Sequence, residues 1–164
     1  MNHYAPVDSL LGKRILVVED DYLLASDICR HLRDLGATVL GPAPTPFYAQ
    51  SLLGRRGVDV AILDVRLHGT TVYSLADELA RRTTPIIFAT GQDREDAPSR
   101  FQSASWISKP IDLRQLIALV QDAAHDRRPE PTACAAPPVA SDTPAGVQDR
   151  LNRVITGLMR SNRV

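Results

Sequence analysis

A chain of 164 residues, 44% hydrophobic and 23% charged, has room for one domain and a further segment, with the composition of an ordinary globular protein. Nineteen Lys and Arg balance nineteen Asp and Glu, so no net positive field recruits nucleic acid or an anionic membrane, and any binding must be local. The two cysteines, Cys29 and Cys134, lie far apart and outside any metal or redox spacing, which reads as free thiols in a reducing compartment. No apolar run approaches the roughly 18 residues of a membrane span, so a cytoplasmic location is expected.

Residues 1–12 read as a lead-in, with Leu10 and Leu11 placed to cover an edge of the fold. Arg14-Ile15-Leu16-Val17-Val18 is then an unbroken apolar run stopped by Glu19, Asp20 and Asp21. A run without polar alternation suits a parallel strand covered on both faces, and its charges fall at the carboxyl end. Leu23, Leu24, Ile28, Leu32 and Leu35 follow at helical spacing and end at Gly36. A short strand is expected at 38–40, and the stretch from Gly41 to Pro46 reads as a break before a helix over about residues 47–56.

The strand at 58–63 carries the unbroken apolar run Val60-Ala61-Ile62-Leu63, with Asp59 expected at its exposed start, and ends in Asp64. Leu75, Ala76 and Leu79 mark the inner face of the helix after it. Pro85 to Ala89 is another buried run, closed by Thr90 and Gly91, and the polar stretch from Asp93 to Gln102 leaves room for a weakly patterned fourth helix. Ser105 to Ser108 gives a last short strand ended by Lys109-Pro110, and Leu113, Leu116, Ile117 and Val120 form the face of a final helix. Five strands alternating with five helices imply an α/β fold: a doubly wound five-stranded parallel sheet in flavodoxin-like order 2-1-3-4-5, with helices on both faces.

This domain is expected over residues 13–125. From 126 to 144 the composition turns to Pro, Ala, Arg and Thr, which predicts a linker. Residues 145–164 predict a C-terminal amphipathic helix, in which Val147, Leu151, Val154, Ile155 and Leu158 recur at helical spacing among Arg150, Arg153 and Arg160.

In that topology one edge of the sheet displays Glu19 and Asp20, Asp64, Thr90 and Lys109. Three close carboxylates repel unless a cation holds them, and a hard divalent ion with oxygen ligands, Mg2+ above all, is the natural occupant. Asp64 then becomes a candidate nucleophile toward a phosphoryl group, with Lys109 as a point charge on that group and Thr90 as a hydroxyl donor. Each residue alone has a plainer explanation. Asp20 or Asp21 can cap the following helix, and Thr90 or Lys109 singly says little, so convergence carries the reading. His3, His31, His68 and His125 show no metal spacing, and only His68 falls near the pocket.

The pieces Ile15-Leu16-Val17-Val18-Glu19-Asp20-Asp21, Ala61-Ile62-Leu63-Asp64, Phe88-Ala89-Thr90 and Trp106-Ile107-Ser108-Lys109-Pro110 stand in an order and spacing that resembles the receiver domain of two-component response regulators, from about Lys13 to Asp122. The resemblance implies a phosphoacceptor at Asp64, metal-binding acids at Glu19 and Asp20, a switch hydroxyl at Thr90 and a phosphate-binding lysine at Lys109. It also implies that the Arg66 backbone carbonyl completes the Mg2+ shell and that Lys109-Pro110 is a cis peptide. Where receivers commonly carry Pro and Gly after the phosphoacceptor, this chain has His68 and Val72. Asp64 to Gly69 together with Phe88-Ala89-Thr90-Gly91 resembles a stand-alone proteobacterial subgroup whose fourth strand ends in Phe-Ala-Thr-Gly. Trp106 replaces the usual Tyr or Phe of the family's switch, so both a switching and a plain packing role stand open for it. Arg66 and Gln92 flank the approach of an attacking water and either tune dephosphorylation or are simply solvated.

The resulting expectation is a single-domain response regulator that accepts a phosphoryl group on Asp64 from a sensor histidine kinase. It signals by protein contacts, through a phosphotransfer or downstream partner or a change of oligomer. Beyond Mg2+-dependent self-phosphorylation and dephosphorylation, no enzyme activity is expected. No nucleic-acid or membrane partner is expected either, since the residues after 126 are too few for a helix-turn-helix module. Two other readings are a receiver-like adaptor that acts without phosphate through its C-terminal helix, and an aspartate-nucleophile phosphatase. The latter usually needs a second acid where Arg66 stands. The helix at 146–161 has three candidate roles, packing on its own receiver, pairing with a second copy or docking on a partner, of which a homodimer is favoured.

Overall fold

β1 (Arg14–Val18) sends Ile15 and Val17 to one face of the sheet and Leu16 and Val18 to the other, and all four are fully buried. A strand with a hydrophobic layer on each side needs no polar alternation, which accounts for the unbroken run. The structure, a computed structural model, describes residues 9–54, 57–91 and 94–126. Gln92, the linker after Asp126 and the C-terminal segment lie outside the described residues.

α1 (Tyr22–Asp34) is capped by Asp21, whose Oδ1 accepts hydrogen bonds from the N–H groups of Leu23 at 3.0 Å and Leu24 at 3.1 Å. Its inward face is Ala25, Ile28, Cys29 and Leu32. Leu23, expected on that face, is 75% exposed, because at about 100° per residue it stands about 180° round the helix from Leu32. Leu10 is buried and donates its N–H to the Leu35 carbonyl at 2.9 Å, whereas Leu11 stays exposed, so only the first of the two leucines covers an edge.

β2 (Thr38–Ala43) runs on through Gly41-Pro42, where a break was expected. Gly41, at φ +117, approaches Val17 so closely that a Cβ there would lie 2.5 Å from the Val17 carbonyl oxygen. α2 (Pro46–Leu53) starts from Thr45, whose hydroxyl accepts from the Tyr48 N–H, and stops at Gly54, short of the expected end. β3 (Val60–Leu63) is buried throughout.

β4 (Arg66–Leu67) and β5 (Thr70–Thr71) form an antiparallel hairpin that was not foreseen, followed by α3 (Tyr73–Arg81) and β6 (Ile86–Thr90). The expected fourth helix is instead two short 3-10 turns, Arg94–Asp96 and Ser99–Phe101, in which Phe101 alone is buried. With so few apolar side chains, the stretch has no stripe to hold a helix against the sheet. β7 (Ser105–Ser108) and α4 (Leu113–Asp126) complete the domain, so the described residues hold four α-helices rather than five.

The main sheet has the order β2-β1-β3-β6-β7, all parallel, which is 2-1-3-4-5 once the small hairpin is set aside. One hydrophobic layer joins Leu16, Val18, Leu63, Leu75, Leu79 and Phe88. The other joins Ile15, Val17, Ile28, Leu32, Ile62 and Val120. No helix among the described residues is long and apolar enough to cross a membrane.

Candidate functional site

The sheet's register gathers the site. Val18 pairs with Leu63 and Thr90 with Ser108, so Glu19, Asp64, Thr90 and Lys109 all fall at the carboxyl ends of neighbouring strands. Backbone bonds fix the exits: Asp64 N–H to the Val18 carbonyl at 2.9 Å, Glu19 N–H to Ala43 at 3.0 Å and Lys109 N–H to Thr90 at 3.0 Å. The Lys109-Pro110 peptide is cis, as the resemblance implies.

Glu19, Asp20 and Asp64 each offer a carboxylate oxygen, and these oxygens lie within 4.8 Å of one another. Lys109 Nζ reaches into the group, 2.7 Å from Asp64 Oδ2 and 2.8 Å from Glu19 Oε2. One ammonium against three carboxylates leaves net negative charge in a pocket where Glu19 and Asp64 are both buried. The donors are all hard oxygens, which fits a hard divalent cation such as Mg2+. Burial is the main influence on Glu19 and raises its pKa above the usual glutamate value, although hydrogen bonds from Lys109 and the Asp21 N–H oppose the shift. Burial alone would lower the Lys109 pKa, but the bonds to Asp64 and Glu19 outweigh it and the lysine ends raised. Both partners end raised for opposite reasons: burial prevails at the more deeply enclosed Glu19, and the bonds to the carboxylates prevail at the lysine.

Around this centre, Asp64 Oδ1 accepts from the Arg66 N–H at 3.3 Å, and Thr90 is buried at the end of β6. Trp106 stacks on Phe88 with ring centroids 4.4 Å apart, and its Nε1–H donates to the Phe101 carbonyl at 3.1 Å. Asp20 Oδ2 accepts from the His68 N–H at 2.9 Å, and the His68 Nδ1 lies 3.4 Å from the same oxygen. Sequence reasoning placed His68 near the pocket but missed this backbone contact. Its signal was present as His68-Gly69 between Leu67 and Thr70, a two-residue hairpin loop.

A family model, the response regulator receiver domain, matches residues 15–121. The chain belongs to that family. This receiver is 27% identical over 118 residues to the transcriptional regulatory protein PdtaR of Mycobacterium tuberculosis, a match covering 70% of this chain and 58% of PdtaR. It is 32% identical over 113 residues to the sensory transduction protein RegX3 of Mycolicibacterium smegmatis, covering 65% of this chain and 48% of RegX3. The chain spans about half the length of the curated relatives it matches. Among solved structures it is similar to the non-phosphorylated HemR receiver domain of Leptospira biflexa, with a TM-score of 0.63 and 27% identity over 72% of this chain and 98% of that one. SdrG of Sphingomonas melonis Fr1 is 33% identical, with a TM-score of 0.57 over 68% of this chain and 97% of that one. Receiver domains bind Mg2+ at an acidic pocket, and Glu19, Asp20 and Asp64 form the acidic pocket here.

Proposed function

We propose that this chain is a phosphoacceptor of a two-component system in which Asp64 takes a phosphoryl group from the phosphohistidine of a sensor kinase. The observation that carries the reading is the meeting of three carboxylates and Lys109 at one sheet edge, with Lys109 Nζ 2.7 Å from Asp64 Oδ2. An Asp64 oxygen forms the bond to phosphorus as the phosphorus–nitrogen bond of the donor breaks, and the electron pair leaves with the imidazole. Lys109 moves from carboxylate partner to partner of a phosphoryl oxygen, and the Thr90 hydroxyl donates to another. Glu19, Asp20, Asp64 and the Arg66 backbone carbonyl would hold Mg2+, which when bound neutralises charge on the transferring group.

Output then passes through protein contacts: a downstream or phosphotransfer partner, or a homodimer made through residues 145–164, joined to the receiver at 13–125 by the linker 126–144. The run Phe88-Ala89-Thr90-Gly91, at the end of β6 and just after it, supports a stand-alone receiver, and a cytoplasmic place of action belongs to the same proposal. For Trp106, the bond to Phe101 and the stack on Phe88 support a fixed strut over a rotating switch. Arg66, whose N–H already engages Asp64, supports a part in tuning dephosphorylation.

Intact mass after incubation of the full chain with Mg2+ and a small acyl phosphate tests the reading. One added phosphoryl group, lost in Asp64→Asn and in a chelated control, is the expected result. An unchanged mass with both the acyl phosphate and phosphorylated candidate kinases would favour an adaptor that works without phosphate.

A further inference from the structure

We infer that the His68–Gly69 turn is the positioning device of the cation site, acting through the His68 backbone N–H on Asp20. This rests on the acidic trio being a Mg2+ site, and it assigns to the hairpin a task that the trio's own residues do not perform.

Asp20 is the trio's least enclosed member, with its side chain 23% exposed, whereas the side chains of Glu19 and Asp64 retain 3% and 8%. Glu19 and Asp64 are further fixed by Lys109, which contacts both. Asp20 is held from the other side of the pocket by the hairpin tip, where the His68 N–H donates to Oδ2 at 2.9 Å. The donor's neutrality matters. A second ammonium would compete with a cation for the carboxylate, whereas an amide orients one oxygen and leaves the charge and the other oxygen available.

The tip can do this because its place is set by the core. Val65, Leu67 and Val72 are all fully buried, the Val72 N–H donates to the Val65 carbonyl at 3.1 Å, and the Thr70 hydroxyl donates to the Leu67 carbonyl at 2.8 Å. Between these anchors only two residues remain to turn the chain, and both have positive φ, +46 for His68 and +81 for Gly69. That is the handedness a two-residue hairpin loop requires, and it points the first residue's N–H back toward the loop at the end of β1. The imidazole Nδ1 stands farther off, 3.4 Å from the same oxygen against 2.9 Å for the N–H, so the latch is assigned to the backbone and the side chain at 68 is secondary to it. The requirements are an N–H and tolerance of positive φ, which Asn and Gly meet and Pro does not.

Mg2+ titration of the full metal-free chain by calorimetry provides the test. His68→Asn should bind within about twofold of the native chain, and His68→Pro should bind about 10-fold or more weakly, the scale seen when a group supporting a metal ligand is lost. In an Asp20→Ala background, which leaves no side-chain acceptor at 20, the Pro substitution should add nothing, because its effect runs through Asp20, whereas general damage to the fold would add to the loss. A folded His68→Pro chain with native Mg2+ affinity would overturn the inference, as would a full additional loss in the Asp20→Ala background. If the Pro variant fails to fold, amide exchange decides without any change at 68. The His68 N–H should lose protection about 10-fold in Asp20→Ala while the amides of β3 keep theirs, and equal protection would contradict the latch. Absence of Mg2+ binding by the native chain would instead overturn the reading of the trio.

Discussion

Lys109 Nζ lies 2.8 Å from Glu19 Oε2, so the β7 exit neutralises an acid at the β1 exit across the intervening strands. Without that ammonium, Glu19 and Asp64 would be two buried acids facing one another. Lys109→Met should therefore cost about 2 kcal/mol in urea denaturation of metal-free protein. That is less than the 3–5 kcal/mol for breaking a fully enclosed pair, because the lysine keeps 26% of its exposure. Adding Mg2+ should recover part of the loss, and a variant with native stability in both conditions would contradict this role for the lysine.

Glu19 carries its own pH signature. Burial holds its carboxyl above the ordinary value, so the folded chain binds this proton more tightly than the unfolded chain. Stability is therefore lost as pH rises from the ordinary glutamate value through the raised one. In metal-free buffer the stability difference between Glu19→Gln and the native chain should move in the variant's favour across that window and level off above it. Chemical denaturation at a series of pH values measures it, and a difference moving the other way would contradict the assigned cause.

The Asp77–Arg100 pair gives the opposite sign. Arg100 donates from both ends of its fork to Asp77, at 2.7 and 3.0 Å, tying the Ser99–Phe101 turn to α3. That hydrogen bonding holds the Asp77 carboxyl below the usual range. Its contribution is present above the ordinary aspartate value and lost as pH falls through the lowered one. An NMR titration of the Asp77 carboxyl carbon should place its midpoint below that of an unpaired aspartate and return it toward normal in Arg100→Gln.

Trp106 is the chain's single tryptophan, which makes its environment directly readable. A fixed indole, stacked on Phe88 and bonded to Phe101, should show the same emission maximum before and after phosphorylation. Trp106→Phe should lose about 1 kcal/mol with the hydrogen bond. A large phosphorylation-dependent shift in emission would restore the rotating switch.

These particulars also mark what could be read before any coordinates. β1 and β3 were legible because each is buried on two faces, so apolar continuity and the carboxylate ending both stand in the sequence. The order of the sheet followed from the alternation of five apolar runs with helical stretches, and it put Glu19, Asp20, Asp64, Thr90 and Lys109 at one edge. The hairpin was not legible from periodicity, since strands of two residues are too short to show a period. The expected fourth helix failed for a related reason: residues 93–102 have enough helix formers but almost nothing to bury. Leu23 reads as inward by its type, whereas its angular place on α1, about half a turn from Leu32, puts it outward.

The most direct test of the central claim is chemical trapping of the phosphoryl group. After incubation with Mg2+ and an acyl phosphate, borohydride reduces an aspartyl phosphate to homoserine, and peptide mapping by mass spectrometry locates the product. Homoserine at position 64, absent from samples not phosphorylated, is the predicted result. Homoserine at Asp20 or elsewhere with Asp64 intact would contradict it and move the nucleophile to another strand end.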